Sequence, residues 1–118
     1  MKLIIAGSRS FIDFNLLKLE TIKFIQECKS KDITIISGTA NGADKLGERF
    51  AERFNLPVVR YPADWDTYGK RAGPIRNELM AKNATHCIVF WDGKSAGTTN
   101  MIQTANKYNL KLKIVKWS

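Results

Sequence analysis

The chain has 118 residues, of which 44% are hydrophobic, and its formal net charge is +8 at pH 7. That length suits one domain around one hydrophobic core, so residues 1–118 are interpreted as a single domain. No run reaches the roughly 18–20 apolar residues of a transmembrane helix, and no signal peptide precedes the first predicted strand, so we expect a soluble cytoplasmic protein with no membrane partner.

Cysteine and histidine usage excludes a structural zinc site. His86 is the single histidine, and Cys28 and Cys87 lie in a helix pattern and a strand pattern, far apart in the chain. We expect two reduced thiols, as in an intracellular protein. The lysines recur singly rather than in one block, which favours a solvated basic surface over a nucleic-acid footprint.

Strand and helix patterns alternate along the whole chain. Continuous β-branched runs predict five strands, and apolar residues at helical spacing predict four helices between them. The strands are predicted at 2–7, 33–37, 57–61, 85–91 and 111–116, and the helices at 12–29, 42–54, 74–83 and 97–108. A loop rich in aromatic and turn residues is predicted for 62–73; loops of that length usually carry function.

This alternation indicates an α/β fold, a Rossmann-like three-layer sandwich with a five-stranded parallel sheet between two layers of helices. Right-handed crossovers favour the strand order 3-2-1-4-5. In that order the first and fourth strands are neighbours, and the loops at 7–10, 37–42 and 91–98 converge on one crevice.

Glycines and hydroxyl residues follow three of the predicted strands and precede helices. Such turns expose consecutive N–H groups, and a helix start adds partial positive charge, so the pattern predicts phosphate binding. The predicted ligand-binding residues in these turns are Gly7, Ser8, Arg9, Ser37, Gly38, Thr39, Ala40, Asn41, Gly42, Asp44, Asp92, Ser95, Gly97 and Thr98.

Individual roles follow from residue chemistry. Arg9 is predicted to clamp a phosphate, with an exposed loop arginine as the alternative. Thr39 and the backbone of 38–42 suit phosphate or ribose oxygens. Asp44 either caps the second helix or accepts a ribose hydroxyl. The last helix opens with free N–H and hydroxyl donors, a second anion cradle formed by Ser95, Gly97, Thr98 and Thr99.

The segment 63–77 adds aromatic and basic side chains. Trp65 and Tyr68 are suited to stacking on a base, while Arg71 and Arg76 meet negative charge. Packing of Trp65 in the core is the alternative.

These motifs together resemble the YspA-type family of the SLOG superfamily. The resemblance covers nearly the whole chain and is carried by Gly7-Ser8-Arg9, by 37–44, by Ala63-Asp64-Trp65, by 72–80 and by 91–98. It implies a Rossmann-like domain that binds nucleotides or nucleotide-derived ligands such as ADP-ribose species, with Asn77 beside Arg76 in the site. Relatives include the Lonely Guy phosphoribohydrolases and the DNA-processing proteins that load single strands.

The resemblance also bears on catalysis. The Lonely Guy enzymes pair an arginine with a glutamate just after a glycine-threonine turn; Arg76 matches the arginine and Gly97-Thr98 the turn, but Thr99, Asn100 and Met101 follow. Cleavage of an N-glycosidic bond needs a carboxylate. The nearby substitutes are Asp92 and Glu78. We therefore assign no catalytic residue, no metal and no cofactor.

We therefore interpret the chain as a domain that binds an ADP-ribose or cyclic-ADP-ribose-like ligand without turnover. Such a domain would suit a phage protein that sequesters an immune signal in the cytoplasm of the bacterial host. The alternatives are a nucleotide N-glycosidase or phosphoribohydrolase, and a single-stranded nucleic-acid-binding module supported by net charge and by Arg76-Asn77. We further expect a homodimer or tetramer, because Trp117 would otherwise leave an indole in water.

Overall fold

Five parallel strands form one sheet in the computed structural model, which describes residues 1–117. They are β1 (Lys2–Gly7), β2 (Thr34–Ser37), β3 (Val58–Arg60), β4 (His86–Trp91) and β5 (Lys111–Lys116). Their order in the sheet is β3-β2-β1-β4-β5. The predicted fold class and strand order are confirmed.

Helices cover both faces of this sheet. They are α1 (Phe14–Glu27), α2 (Ala43–Arg53), α3 (Trp65–Tyr68), α4 (Ala72–Lys82) and α5 (Ala96–Lys107), with a 3₁₀ turn at Gly69–Arg71. Strand side chains alternate between the two faces. Leu3 and Ile5 pack in one core with α1 and α2, whereas Ile4 packs in a second core with α4 and α5.

The prediction of a loop over 62–73 is wrong for most of that segment. Asp64 caps α3, because its Oδ1 accepts the Thr67 N–H at 3.1 Å, and the 3₁₀ turn leads directly into α4. Pro74 is the third residue of α4 rather than its first; its missing N–H is harmless throughout the first turn. Gly69 in the middle of the segment and Gly73 at its end hid these two short helical elements from the sequence pattern.

The C-terminal tryptophan also departs from expectation. The ring of Trp117 packs edge-on against Phe11 with their centroids 5.0 Å apart, and its backbone N–H donates to the carbonyl of Trp91 at 3.0 Å. The indole is therefore partly buried within one chain rather than left in water. Along residues 1–117, none of the helices is both long and apolar enough to span a bilayer.

Candidate functional site

A crevice opens where β1 and β4 end and α2, α4 and α5 begin. It consists of a cavity of about 520 Å³ and an adjoining cavity of about 380 Å³. Four residues line both cavities: Arg9, Ala40, Trp65 and Arg76. A parallel α/β sheet binds ligands at this position, beyond the carboxyl ends of neighbouring strands with diverging crossovers.

Most of the predicted ligand-binding residues lie in the walls of this crevice. The larger cavity is lined by Gly7, Ser8, Arg9, Ala40, Asp44, Trp65, Arg76, Asn77, Asp92, Ser95, Gly97 and Thr98. The smaller cavity adds Gly38, Thr39 and Asn41. The structure thus brings these residues together, and their contact with a ligand remains a prediction.

Ser37, Gly42 and Arg71 line neither cavity. The Ser37 hydroxyl donates to Glu48 Oε2 at 2.6 Å and accepts the Thr39 N–H at 3.0 Å, so it supports the loop after β2. Gly42 has a φ of +80°, and a Cβ there would overlap the carbonyl oxygens of Ser8 and Arg9. It therefore allows two crevice loops to touch. Arg71 ends the 3₁₀ turn and is exposed.

Arg76 reaches from α4 to the end of β2. Its Nη1 donates to the Gly38 carbonyl, and its Nε donates to Asn77 Oδ1 at 3.0 Å. Asn77 in turn donates to Asn100 Oδ1 at 2.8 Å. A Cβ on Gly38 would lie 2.8 Å from Arg76 Nη1 and 2.7 Å from Asp44 Oδ2. The glycine is thus required for both charged groups to approach the strand end.

Asp44 is a buried carboxyl in the wall of the crevice. Only 5% of the residue is exposed, and its Oδ2 accepts the Ala40 N–H at 3.1 Å. Burial raises the pKa of Asp44 to about 6, against the opposing effects of the Ala40 hydrogen bond and of Arg76. Burial likewise lowers the pKa of Arg76, although the Asp44 charge opposes that shift. The alternative that Asp44 caps α2 is wrong, because Gly42 is the N-cap and Asp44 is the second residue of the helix.

Arg9 and Trp65 form the outer rim. The Arg9 guanidinium lies 5.9 Å from the centroid of the Trp65 ring, in the range of a cation–π contact. Trp65 is 48% exposed, so the alternative that it packs in the core is wrong. Arg9 is exposed and donates no side-chain hydrogen bond within residues 1–117. Both planar groups are therefore available to a ligand.

The turn between β4 and α5 is ordered by its own side chains. Asp92 Oδ1 accepts the N–H groups of Lys94 and Ser95, each at 2.8 Å, and these bonds lower the pKa of Asp92. Ser95 caps α5 by accepting the Thr98 N–H. Space around Gly97 is open. The first turn of α5 therefore presents backbone N–H groups to the crevice, which favours an anion.

Glu78 and Asp92, the two carboxylates considered as substitutes for the missing catalytic glutamate, lie in different places. Glu78 accepts hydrogen bonds from Lys107 Nζ at 3.0 Å and Tyr108 Oη at 3.1 Å, and it lines neither cavity. Asp92 lies in the wall but is engaged by its own turn. Asp44 is the buried carboxyl of the crevice. No group of three or more His, Cys, Asp or Glu side chains within residues 1–117 is arranged to hold a metal ion.

Sequence reasoning missed several wall residues, namely Lys70, Pro74, Met80, Asn100 and Met101. Asn100 and Met101 lie three and four positions after Gly97, and therefore share its face of α5. Their spacing from Gly97 could therefore have predicted that both residues line the crevice. The position of Lys70 depends on the unpredicted 3₁₀ turn, so no sequence pattern pointed to it.

Comparison with known proteins agrees with this architecture. Residues 1–68 match the model of the family described as YspA, cpYpsA-related SLOG family. The Gene 61 protein of Mycobacterium phage D29 is 36% identical over 81 residues, which are 64% of this chain and 65% of the phage protein.

Solved structures with low sequence identity share the fold. DNA processing protein A (DprA) from Streptococcus pneumoniae superposes with a TM-score of 0.74 at 16% identity, over 99% of this chain and 50% of that one. The same protein from Helicobacter pylori, described for its single-stranded DNA binding mode, gives 0.65 at 20% identity, over 100% of this chain and 66% of that one. This chain thus spans about half to two thirds of these relatives.

Proposed function

We propose that this chain, which belongs to the YspA, cpYpsA-related SLOG family, binds an ADP-ribose or cyclic-ADP-ribose-like ligand in the crevice without turning it over. The crevice combines three kinds of group that a nucleotide needs. Arg9 and Arg76 supply positive charge, the first turn of α5 supplies N–H donors, and Trp65 supplies an exposed ring. Their convergence at one site is the observation that carries the proposal.

The proposed lack of turnover rests on the carboxylates. Hydrolysis of an N-glycosidic bond calls for an ionised carboxylate at the anomeric carbon, where the bond breaks, and for a base that activates water. A carboxylate that only accepts a hydrogen bond from a hydroxyl elsewhere on the sugar does not meet that need. Thr99, Asn100 and Met101 follow the Gly97-Thr98 turn, and Glu78 is held outside the crevice by Lys107 and Tyr108. These residues favour a site that holds its ligand and releases it unchanged.

The biological role we propose is sequestration. The relative from Mycobacterium phage D29 is a phage protein, and a phage that encodes such a binder would lower the concentration of a host immune nucleotide in the bacterial cytoplasm. We also propose that the chain acts as a homodimer or tetramer. Both points extend the binding function and are tested separately from it.

Calorimetric titration with ADP-ribose and cyclic ADP-ribose tests binding, and chromatography of the same samples tests turnover. We expect binding with the ligand recovered intact. Arg76→Ala should weaken binding by about 1.5–3 kcal/mol, because it removes a charge-assisted hydrogen bond. Arg53→Ala, which removes an exposed arginine at the end of α2, is the matched control and should bind like the wild type.

Either of two results would contradict this proposal. The first is an unaltered affinity for both ligands in Arg76→Ala. The second is the appearance of free base or ribose phosphate in proportion to the amount of protein, which would establish the alternative of an N-glycosidase or phosphoribohydrolase.

A second candidate is binding of single-stranded nucleic acid. It is favoured by the net charge of +8 and by the fold shared with a DNA processing protein described for its single-stranded DNA binding mode. Such binding depends steeply on salt, because each phosphate contact releases a counterion. An oligonucleotide affinity that falls by orders of magnitude between low and moderate salt, without competition by ADP-ribose, would support this candidate over the first.

A further inference from the structure

One buried charged side chain in the crevice uses only part of its hydrogen-bonding capacity. Asp44 is 5% exposed and lines the larger cavity. Its Oδ2 accepts the Ala40 N–H at 3.1 Å, whereas its Oδ1 accepts no hydrogen bond from the described residues 1–117. Oδ1 is not among the fully buried atoms that lack a partner, so it is accessible from the cavity that Asp44 lines. It is therefore available to accept a hydrogen bond from a ligand.

We propose that Asp44 determines ligand specificity by accepting a hydrogen bond from a sugar hydroxyl, so that the crevice selects ribose over deoxyribose in its ligand. The inference rests on the proposed function, since it takes a nucleotide-derived ligand in the same crevice as its premise. It adds the chemical group that this carboxyl recognises.

The charged groups around Asp44 decide which part of a nucleotide meets it. Arg76 of α4 and Arg9 after β1 carry positive charge, while Glu48, one turn along α2, carries negative charge. Burial raises the pKa of the Cys87 thiol of β4, and the nearby Asp44 charge raises it further. A phosphate at Asp44 would bring two anions together. We therefore place the phosphates away from Asp44, at Arg9, at Arg76 and at the first turn of α5.

The remaining groups of a nucleotide are its base and its sugar. Trp65 is the one aromatic side chain among the described residues that line the two cavities, and it offers the base a stacking surface. Sugar hydroxyls are then the donors left for Asp44. An acceptor that the bound ligand covers also discriminates strongly, because an analogue without the hydroxyl excludes water from the carboxylate and leaves it unpaired.

The position of Asp44 is fixed by its surroundings. Gly38 leaves room for the carboxyl, and the loop that donates to it includes Thr39 with a φ of +67°. A β-branched residue in that conformation is strained, and such strain concentrates at functional sites. The carboxyl is thus held ready for a ligand rather than left free to turn away.

Titration of wild-type protein with ADP-ribose and with analogues that lack a hydroxyl on one or the other ribose tests the inference. ADP-ribose suits this purpose because both of its phosphates are esterified, whereas a terminal phosphate itself titrates at about pH 6. We expect one analogue to bind at least about tenfold more weakly. The affinity for ADP-ribose should fall as the pH drops below about 6, where Asp44 takes up a proton, and that analogue should lose this dependence.

Asp44→Asn keeps an acceptor for the Ala40 N–H but removes the charge. We expect it to bind ADP-ribose as weakly as the wild type binds the discriminating analogue, with no pH dependence between about pH 5 and 8. Glu52→Gln, which removes an exposed carboxylate on α2, is the matched control and should preserve both the affinity and the preference for ribose.

Equal affinity for ADP-ribose and both analogues in the wild type would overturn the inference and leave the proposed function standing. So would an affinity that rises as the pH falls, since that sign places a phosphate at Asp44. A wild type that binds none of these compounds would overturn the proposed function, and the inference with it. The analogue series needs no variant, so it decides the question even if Asp44→Asn folds poorly.

Discussion

At the residue scale, the charge of Asp44 that the proposed binding requires also lowers the stability of the fold. Its pKa is raised from 3.8 to about 6 in the folded chain, so the folded state binds a proton more tightly than the unfolded state does. The stability contributed by this proton is complete below about pH 4 and is lost as the pH rises through about 6. Above that pH the buried charge destabilises the fold, and a carboxyl kept under such a penalty in a crevice is characteristic of a binding site.

Asp44→Asn should therefore raise the free energy of unfolding at pH 8. The rise of this pKa from 3.8 to about 6 corresponds to a gain on the order of 3 kcal/mol at pH 8, which should shrink towards zero near pH 4. Denaturant unfolding at the two pH values measures the difference between the variant and the wild type, so the titration of all other groups cancels.

Glu52→Gln is the control for this change, because that carboxylate is exposed. It should leave the stability difference near zero at both pH values. An Asp44→Asn variant that is less stable than the wild type at pH 8 would mean that attraction to Arg76 outweighs the burial of the charge. Burial would then not be the dominant effect on the Asp44 carboxyl, and the prediction would be wrong.

At the scale of elements, the crevice lies where several loops meet. Two glycines in these loops differ in how much space surrounds them. A Cβ on Gly42 would overlap backbone carbonyls of the β1 loop at a φ of +80°, whereas a Cβ on Gly97 would meet nothing within 4 Å. Gly42→Ala should lower the free energy of unfolding by about 2 kcal/mol or more, and Gly97→Ala should be neutral or stabilise α5 by up to about 1 kcal/mol.

Thermal unfolding of the two variants compares the same added methyl group in two loops. The prediction fails if Gly42→Ala unfolds at the wild-type temperature, because the β1 and β2 loops would then not be in close contact. Loss of stability in Gly97→Ala would likewise contradict the open space at the first turn of α5.

The elements differ in how well the sequence predicted them. Long apolar strands such as β1 and β4 have both faces buried, so their pattern alone indicated a parallel sheet. The strand order was predicted from the rule that crossovers are right-handed. The short α3 and the 3₁₀ turn depend on one capping bond from Asp64, a local signal that Gly69 and Gly73 obscured. The environment of Asp44 Oδ1 depends on how α2, the loop after β2 and Arg76 of α4 pack together. No single stretch of sequence contains all three.

On the scale of the whole molecule, the two edges of the sheet are unlike. β3 has only three residues, and β5 carries Lys111, Lys113 and Lys116. Short strands and lysines both discourage pairing of one sheet edge with another. Association between copies of this chain is therefore expected through helices and the segment beside the crevice rather than through a continuous sheet.

Exposed aromatic side chains next to the crevice support that expectation. Trp65 and Tyr68, both on α3, are 48% and 43% exposed. Aromatic residues are enriched at protein interfaces, so we predict that α3 lies at the contact of a homodimer or tetramer.

Tyr68→Ser should then weaken self-association by about tenfold or more. Leu19→Ser, which alters an apolar residue of α1 that is 55% exposed, is the control and should not weaken it. Light scattering at micromolar concentration measures both, and a wild-type monomer of 13.4 kDa with full ligand affinity would instead mean that each chain holds a complete site.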